Sequence, residues 1–177
     1  MTCFTDPEGR ATLADYIQIT PEVYPAGRLD YDSEGLMLLT SDGKLAHRVA
    51  HPDHKLPKTY LVQVEHIPPE TALSQLRRGV MVKGEMTRPA LVELLPTEPP
   101  LFPRAVPIRV RQAIPTAWLK ITITEGRKRQ VRHMTAAVGY PTLRLVRVAI
   151  GPLKLEPLQP GEWRDITKTE LILLQKR

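Results

Sequence analysis

Residues 58–65, KTYLVQVE, alternate at a period of two and are rich in Val and Tyr, which reads as a strand with one face buried. Working outward, the chain on both sides mixes short helices with short strands, and strands predominate. Upstream, 11–17 reads as a short helix, 35–40 as an apolar strand ended by the Ser41-Asp42-Gly43 turn, and 44–50 as a helix. Downstream, 69–78 has proline at its start and Gly79 just past its end, the punctuation of a helix. Strand-like segments follow at 80–82, 90–95, 108–112 and 118–124. A basic helix is expected over 127–138 with Gly139 as its stop, then a strand over 143–150. Thr167-Lys168-Thr169-Glu170 fits a capping box opening a last helix through Leu174.

A chain of 177 residues is about one domain's worth. Prolines concentrate in 96–115, LLPTEPPLFPRAVPIRVRQAIP with its two leading leucines, where little helix can form. That stretch reads as a long loop with edge strands rather than a domain boundary, because neither side alone is long enough to bury much core.

Charge is distributed unevenly. Residues 1–40 hold two basic and seven acidic side chains, whereas 101–150 hold ten basic and one acidic, out of a whole-chain net charge of +6. A local positive surface of that kind attracts a polyanion such as nucleic acid or an anionic membrane. The single cysteine, Cys3, excludes an intramolecular disulfide and a cysteine-rich zinc site. No apolar run approaches the length of a membrane span and no signal-peptide pattern opens the chain, so a cytoplasmic protein is the default. With aromatic residues at 5%, stacking successive bases on rings is not the expected mode of binding nucleic acid.

Two segments carry candidate chemistry. The first is 24–43, YPAGRLDYDSEGLMLLTSDG, in which Asp30, Asp32 and Glu34 alternate with other residues ahead of Gly35. A calcium loop would need a bidentate Glu at its twelfth position, and counting from Asp30 that residue is Ser41, so the calcium reading fails. What remains is a carboxylate just after Arg28-Leu29, in a glycine-bounded loop where functional groups are often held. The second is 125–133, EGRKRQVRH, with Arg127, Lys128, Arg129 and Arg132. Arg109, Arg111 and Lys120 are basic too, and Glu125 is the one acid in 101–150, so a phosphate-binding surface is favoured over a solvated helix face. His47, His51 and His54 could be read as metal ligands, but Pro52 breaks the helix and a further ligand would have to come from far away. No metal site, glycine-rich phosphate loop, dinucleotide fingerprint or Ser/Cys nucleophile frame is read, and no cofactor is implied.

Taken together, AGRLDYDSEGLMLLTSDG, PKTYLVQV, EGRKRQVRHMTAAVGYPTLRLVRVAIGPL and PGEWRDIT resemble the bacterial ribosomal RNA pseudouridine synthases of the small-subunit synthase A type. The resemblance covers essentially the whole chain, with its motifs in the family's order. It implies an α+β fold, a mixed and largely antiparallel curved sheet flanked by helices with a central active-site cleft. It implies that Asp30 is the nucleophile, that Tyr60 lies against the target uracil as the candidate for proton transfer at carbon 5, and that Arg132 forms an ion pair with Asp30. Arg28 corresponds to a position that helps hold RNA with its base turned out. Arg109, Arg111, Arg127, Lys128 and Arg129 are the expected RNA-binding residues, and the expected partner is a 23S ribosomal RNA stem-loop uridine, bound by a monomer. Asp32 and Glu34 are expected to organise the loop rather than react.

Relatives often carry an additional RNA-binding module of the ribosomal protein S4 type, for which 1–177 leaves no room, so one catalytic domain is expected. The family's first strand, with its Asn-Lys-Pro, is lacking here, and an exposed sheet edge or disordered start is expected near Met1. The chemistry is consistent with these roles. Isomerising uridine cleaves the glycosidic bond and makes a carbon bond to the same ribose without redox change, which a carboxylate can do through either the anomeric carbon or carbon 6 of the base. A paired arginine keeps such a carboxylate ionised and aimed, and the base must be flipped out to be reached. The competing reading is a non-catalytic RNA-binding or ribosome-assembly module on the same basic surface.

Overall fold

The computed structural model describes residues 8–17, 22–54, 56–104, 107–108 and 113–176. In chain order the elements are β1 (Tyr24–Pro25), β2 (Glu34–Gly35), β3 (Leu39–Thr40), α1 (Gly43–Ala50), β4 (Lys58–Glu65), α2 (Glu70–Arg78), β5 (Met81–Val82), β6 (Glu85–Met86), β7 (Leu91–Leu95), β8 (Thr116–Ile123), α3 (Gln130–Ala137), β9 (Thr142–Ile150), β10 (Leu153–Lys154) and α4 (Lys168–Gln175).

The period-two stretch is the centre of the main sheet. β4 pairs antiparallel with β8 from Lys58↔Ile123 to Glu65↔Thr116, and on its other edge with β9, in a sheet ordered β10-β9-β4-β8-β7. β2 joins the far side of β9 in parallel, through Glu34↔Val146 and Gly35↔Arg147. The sheet is therefore mixed and largely antiparallel, with helices packed on it, as an α+β fold requires. Val62 and Val64 of β4, Leu119, Ile121 and Ile123 of β8 and Leu145 of β9 form one core with Leu73 and Leu76 of α2 and Val131 and Met134 of α3. Leu45 and Val49 of α1 and Leu174 of α4 close a second core on Leu36, Leu38, Ile150 and Leu153.

Local signals decide the well-placed helices. The Asp42 side chain caps α1 by accepting from Lys44 and Leu45 N–H, and Thr167 with Glu170 forms the expected capping box of α4. Several expectations are corrected. The strand over 35–40 divides into β2 and β3, because Gly35 has a left-handed φ of 105° and turns the chain out of β2, while the side chains of Leu36 and Leu38 go to the core. The helix over 11–17 is a single 3-10 turn, Leu13–Asp15, with Thr12 N–H donating to Asp15 Oδ2 at 2.6 Å. The basic helix begins at Gln130 and not at 127, since Arg129 sits in the left-handed region at φ 55°. Arg127, Lys128 and Arg129 thus stand on a loop. Of the strand expected over 108–112, Ile108 has no regular structure and 109–112 lie outside the described residues, as does the start of the chain near Met1.

Candidate active site

The loop between β1 and β2 carries Asp30, and it is held mainly by arginines that arrive from about a hundred residues later. Ser33 N–H donates to Asp30 C=O at 2.9 Å, closing a turn over residues 30–33. Arg129 grips Asp32 bidentately, Nη1 to Oδ1 at 2.8 Å and Nη2 to Oδ2 at 2.9 Å. Arg132 Nη2 donates to the Asp32 backbone C=O at 2.7 Å and lies 3.4 Å from its Oδ2. Glu34 is held in the same way by Arg144, at 3.1 and 2.8 Å, with Arg104 Nε 3.3 Å away. Bidentate guanidinium–carboxylate pairs add direction as well as energy, so two of the three loop acids serve as handles.

This corrects one expectation. Arg132 pairs with Asp32, not with Asp30, and among the described residues no ion pair to Asp30 is found. Asp30 still acts on Arg132 and Arg129 through space, raising the proton affinity of both. Hydrogen bonding from Arg129 holds the Asp32 carboxyl below its ordinary range, partly offset by burial.

A cleft of about 430 Å3 opens beside this loop, lined among others by Arg28, Asp30, Lys58, Tyr60, Lys128 and Arg147. The acidic early segment and the basic late one therefore face each other across it. Tyr60 enters from β4, where Lys58, two residues earlier, shares its face. Burial pushes the Tyr60 phenol up, opposed chiefly by the charge of Arg147, its cross-strand neighbour. Burial, and secondarily Arg147, brings the Lys58 ammonium down to about 8. Arg127 and Arg129 also line the cleft but are engaged, Arg127 with Glu85 and the buried Glu125, and Arg129 with Asp32. Lys128 is exposed. Arg109 and Arg111 lie outside the described residues.

Two cleft residues were not singled out from sequence. Lys58 was legible as the same-face neighbour of Tyr60. Arg147 reads as one more strand arginine, yet it is 4% exposed. The histidines do gather, with the rings of His47 and His51 stacked at 4.7 Å and His54 Nε2 3.3 Å from His47 Nδ1. Among the described residues, however, no group of three or more candidate ligands is placed to hold a metal ion.

Lys58 yields a stability test. A lysine whose pKa falls from 10.5 to about 8 on folding binds its proton more weakly in the folded state, so the folded state gains relative stability as pH rises from about 8 towards 10.5. Lys58→Met should therefore show its largest melting-temperature advantage over the parent below pH 8, narrowing across that window. An advantage that does not change with pH would contradict buried titration at Lys58.

The family profile described as RNA pseudouridylate synthase matches residues 8–137. The chain belongs to that family. Being an RNA pseudouridine synthase, it also resembles curated members closely. "Ribosomal large subunit pseudouridine synthase E" of Vibrio vulnificus is 58% identical over 164 residues, 93% of this chain and 69% of that protein. The protein of the same name from Xanthomonas campestris is 59% identical over 155 residues, 88% of this chain and 82% of its own length. A solved structure titled "Crystal structure of pseudouridylate synthase" superposes with a TM-score of 0.76 at 34% identity, over 92% of this chain and 65% of that one. The chain thus spans about two thirds of that solved synthase. The mixed antiparallel sheet with its flanking helices is the fold of this pseudouridine synthase.

Proposed function

We propose that this synthase converts a uridine of 23S ribosomal RNA, presented in a stem-loop, to pseudouridine, with residues 1–177 acting as one catalytic domain and as a cytoplasmic monomer. The observation that carries the reading is the convergence of Asp30 and Tyr60 in one cleft edged by basic side chains. The names of the relatives, large-subunit synthases, support the choice of RNA. Among the described residues no helix is long and apolar enough to cross a membrane.

The Asp30 carboxylate attacks covalently, at the anomeric carbon or at carbon 6 of the uracil, and the glycosidic C–N bond breaks. The uracil turns, its carbon 5 bonds to the ribose, the bond to Asp30 breaks and returns the carboxylate, the proton on carbon 5 leaves and N1 takes one up; atoms balance without a cofactor. Tyr60 is the candidate for the proton transfer at carbon 5. Reaching Asp30 requires the base to leave its stack, at a cost of a few kcal/mol offset by pocket and phosphate contacts. Exposed Arg28 and Lys128 at the cleft, together with Arg109, Arg111, Arg127 and Arg129, supply those phosphate contacts.

The test is to map pseudouridine across ribosomal RNA from a strain lacking the protein and from the same strain supplied with it. One 23S position should regain pseudouridine. Salt-sensitive RNA binding with no modified position would instead favour the non-catalytic module.

A further inference from the structure

We infer that Arg147 is a positioning residue that holds the Asp30 loop by its guanidinium while pairing with Tyr60 across the sheet, fixing the two reacting groups relative to each other. This rests on the proposed roles of Asp30 and Tyr60.

Arg147 is attached to the nucleophile loop at both ends. Its Nε donates to Leu36 C=O at 2.7 Å and its Nη1 reaches Arg28 C=O at 3.4 Å, so Asp30 lies within the span these two carbonyls bracket. Its own backbone C=O accepts from Leu36 N–H at 2.8 Å, and Gly35 is its ladder partner. On the opposite strand edge its partner is Tyr60, where the β4–β9 ladder shifts register between Thr59 and Tyr60. The charge of the guanidinium favours the ionised phenol, and among the described residues its buried Nη2 has no hydrogen-bond partner.

The charge itself argues for more than fastening. Arg129 and Arg144 hold the loop through the carboxylates of Asp32 and Glu34, each gaining a counter-ion. Arg147 is buried, its guanidinium donating to carbonyls, and among the described residues it forms no ion pair with an acid; an uncompensated buried cation is costly. A neutral donor would serve to hold carbonyls. A cation is what favours the ionised form of the phenol next to it. If Tyr60 is to take the carbon 5 proton, the transfer is from carbon to phenolate Oη, and it is the phenolate that Arg147 favours. Asp30 shares the cleft with the phenol and acts in the opposite sense. Lys58 stands two residues along β4 and feels the same guanidinium.

The experiment compares the parent, Tyr60→Phe, Arg147→Met and Arg147→Lys. Tyrosinate absorbance is titrated in each, with Tyr60→Phe, in both the parent and each Arg147 background, subtracted to isolate Tyr60. In Arg147→Met the Tyr60 midpoint should rise by about one pH unit or more. Turnover should fall by about 100-fold or more with KM for RNA within about threefold, since misplacement of reacting groups acts on kcat. Arg147→Lys keeps the charge but cannot span both carbonyls and the phenol. It should titrate near the parent and still lose about tenfold in turnover. A Tyr60 midpoint that is unmoved in Arg147→Met, or turnover within about threefold of the parent in either variant, overturns the inference. Should Arg147→Met fail to fold, Arg147→Lys alone decides by its turnover. A parent that makes no pseudouridine sinks the proposed function instead, while the titration still judges the Arg147–Tyr60 coupling.

Discussion

Asp30→Asn should abolish pseudouridine formation, with turnover falling by about 10^4 or more, as expected when a covalent nucleophile is lost. The substitution keeps size and shape, and the loop does not depend on the Asp30 carboxylate for its hold. Asp32 and Glu34 provide the side-chain ties, to Arg129, Arg132 and Arg144. RNA affinity should stay within a few-fold of the parent. Asp32→Ala is the contrast. It removes a tether rather than the proposed nucleophile, so activity should persist, reduced by no more than about 100-fold through misplacement. Asp30→Asn protein that turned over RNA at a rate similar to the parent would refute the nucleophile assignment. Quantifying pseudouridine in RNA from cells lacking the enzyme reads both variants.

Gly35→Ala should damage both folding and chemistry. Gly35 has φ 105°, which alanine adopts poorly, and a Cβ there would lie 2.3 Å from Arg147 C=O, 2.7 Å from its N and 2.9 Å from its carbonyl carbon. All three contacts are backbone of a central strand, so β2 must lift off β9. Strained φ and overpacking together suggest a loss of about 2–4 kcal/mol of stability. Lifting β2 also shifts the Asp30 loop, and a displacement near 1 Å costs about 100-fold in rate. Gly79→Ala is the matched control. Its φ is 101° and its Cβ would meet Thr87 C=O at 2.4 Å, but it caps α2 rather than anchoring the Asp30 loop. Both variants should unfold at lower denaturant concentration, and only Gly35→Ala should lose turnover per folded molecule. Equal turnover in the two would separate the β2 anchor from the site.

The parts of the fold that were legible are those whose cause is local. The alternation of β4, the Asp42 cap of α1 and the Thr167–Glu170 box of α4 are decided within a few residues. The illegible parts are decided elsewhere. Two-residue strands such as β2 and β10 exist only because β9 offers a partner, and no propensity marks them. The start of α3 depends on one left-handed residue, Arg129, which Asp32 holds by its side chain. The same applies to the site. Asp30 and Tyr60 were named through motifs, but that Arg132 takes Asp32 is decided by contacts across 100 positions, invisible in a run of alternating acids. Arg147 was missed because burial of a strand arginine is a property of the finished sheet.

The arginine tethers also set an order of events as the chain is made. Asp32 is joined to Arg129 across 97 positions, Glu34 to Arg144 across 110 and Leu36 to Arg147 across 111. The segment that emerges early from the ribosome is thus among the last to be fastened, because its anchors belong to strands and loops synthesised much later. Long closures of this kind form slowly and late. A nascent or truncated chain lacking β9 would carry Asp30 on a loop without its Arg144 and Arg147 ties.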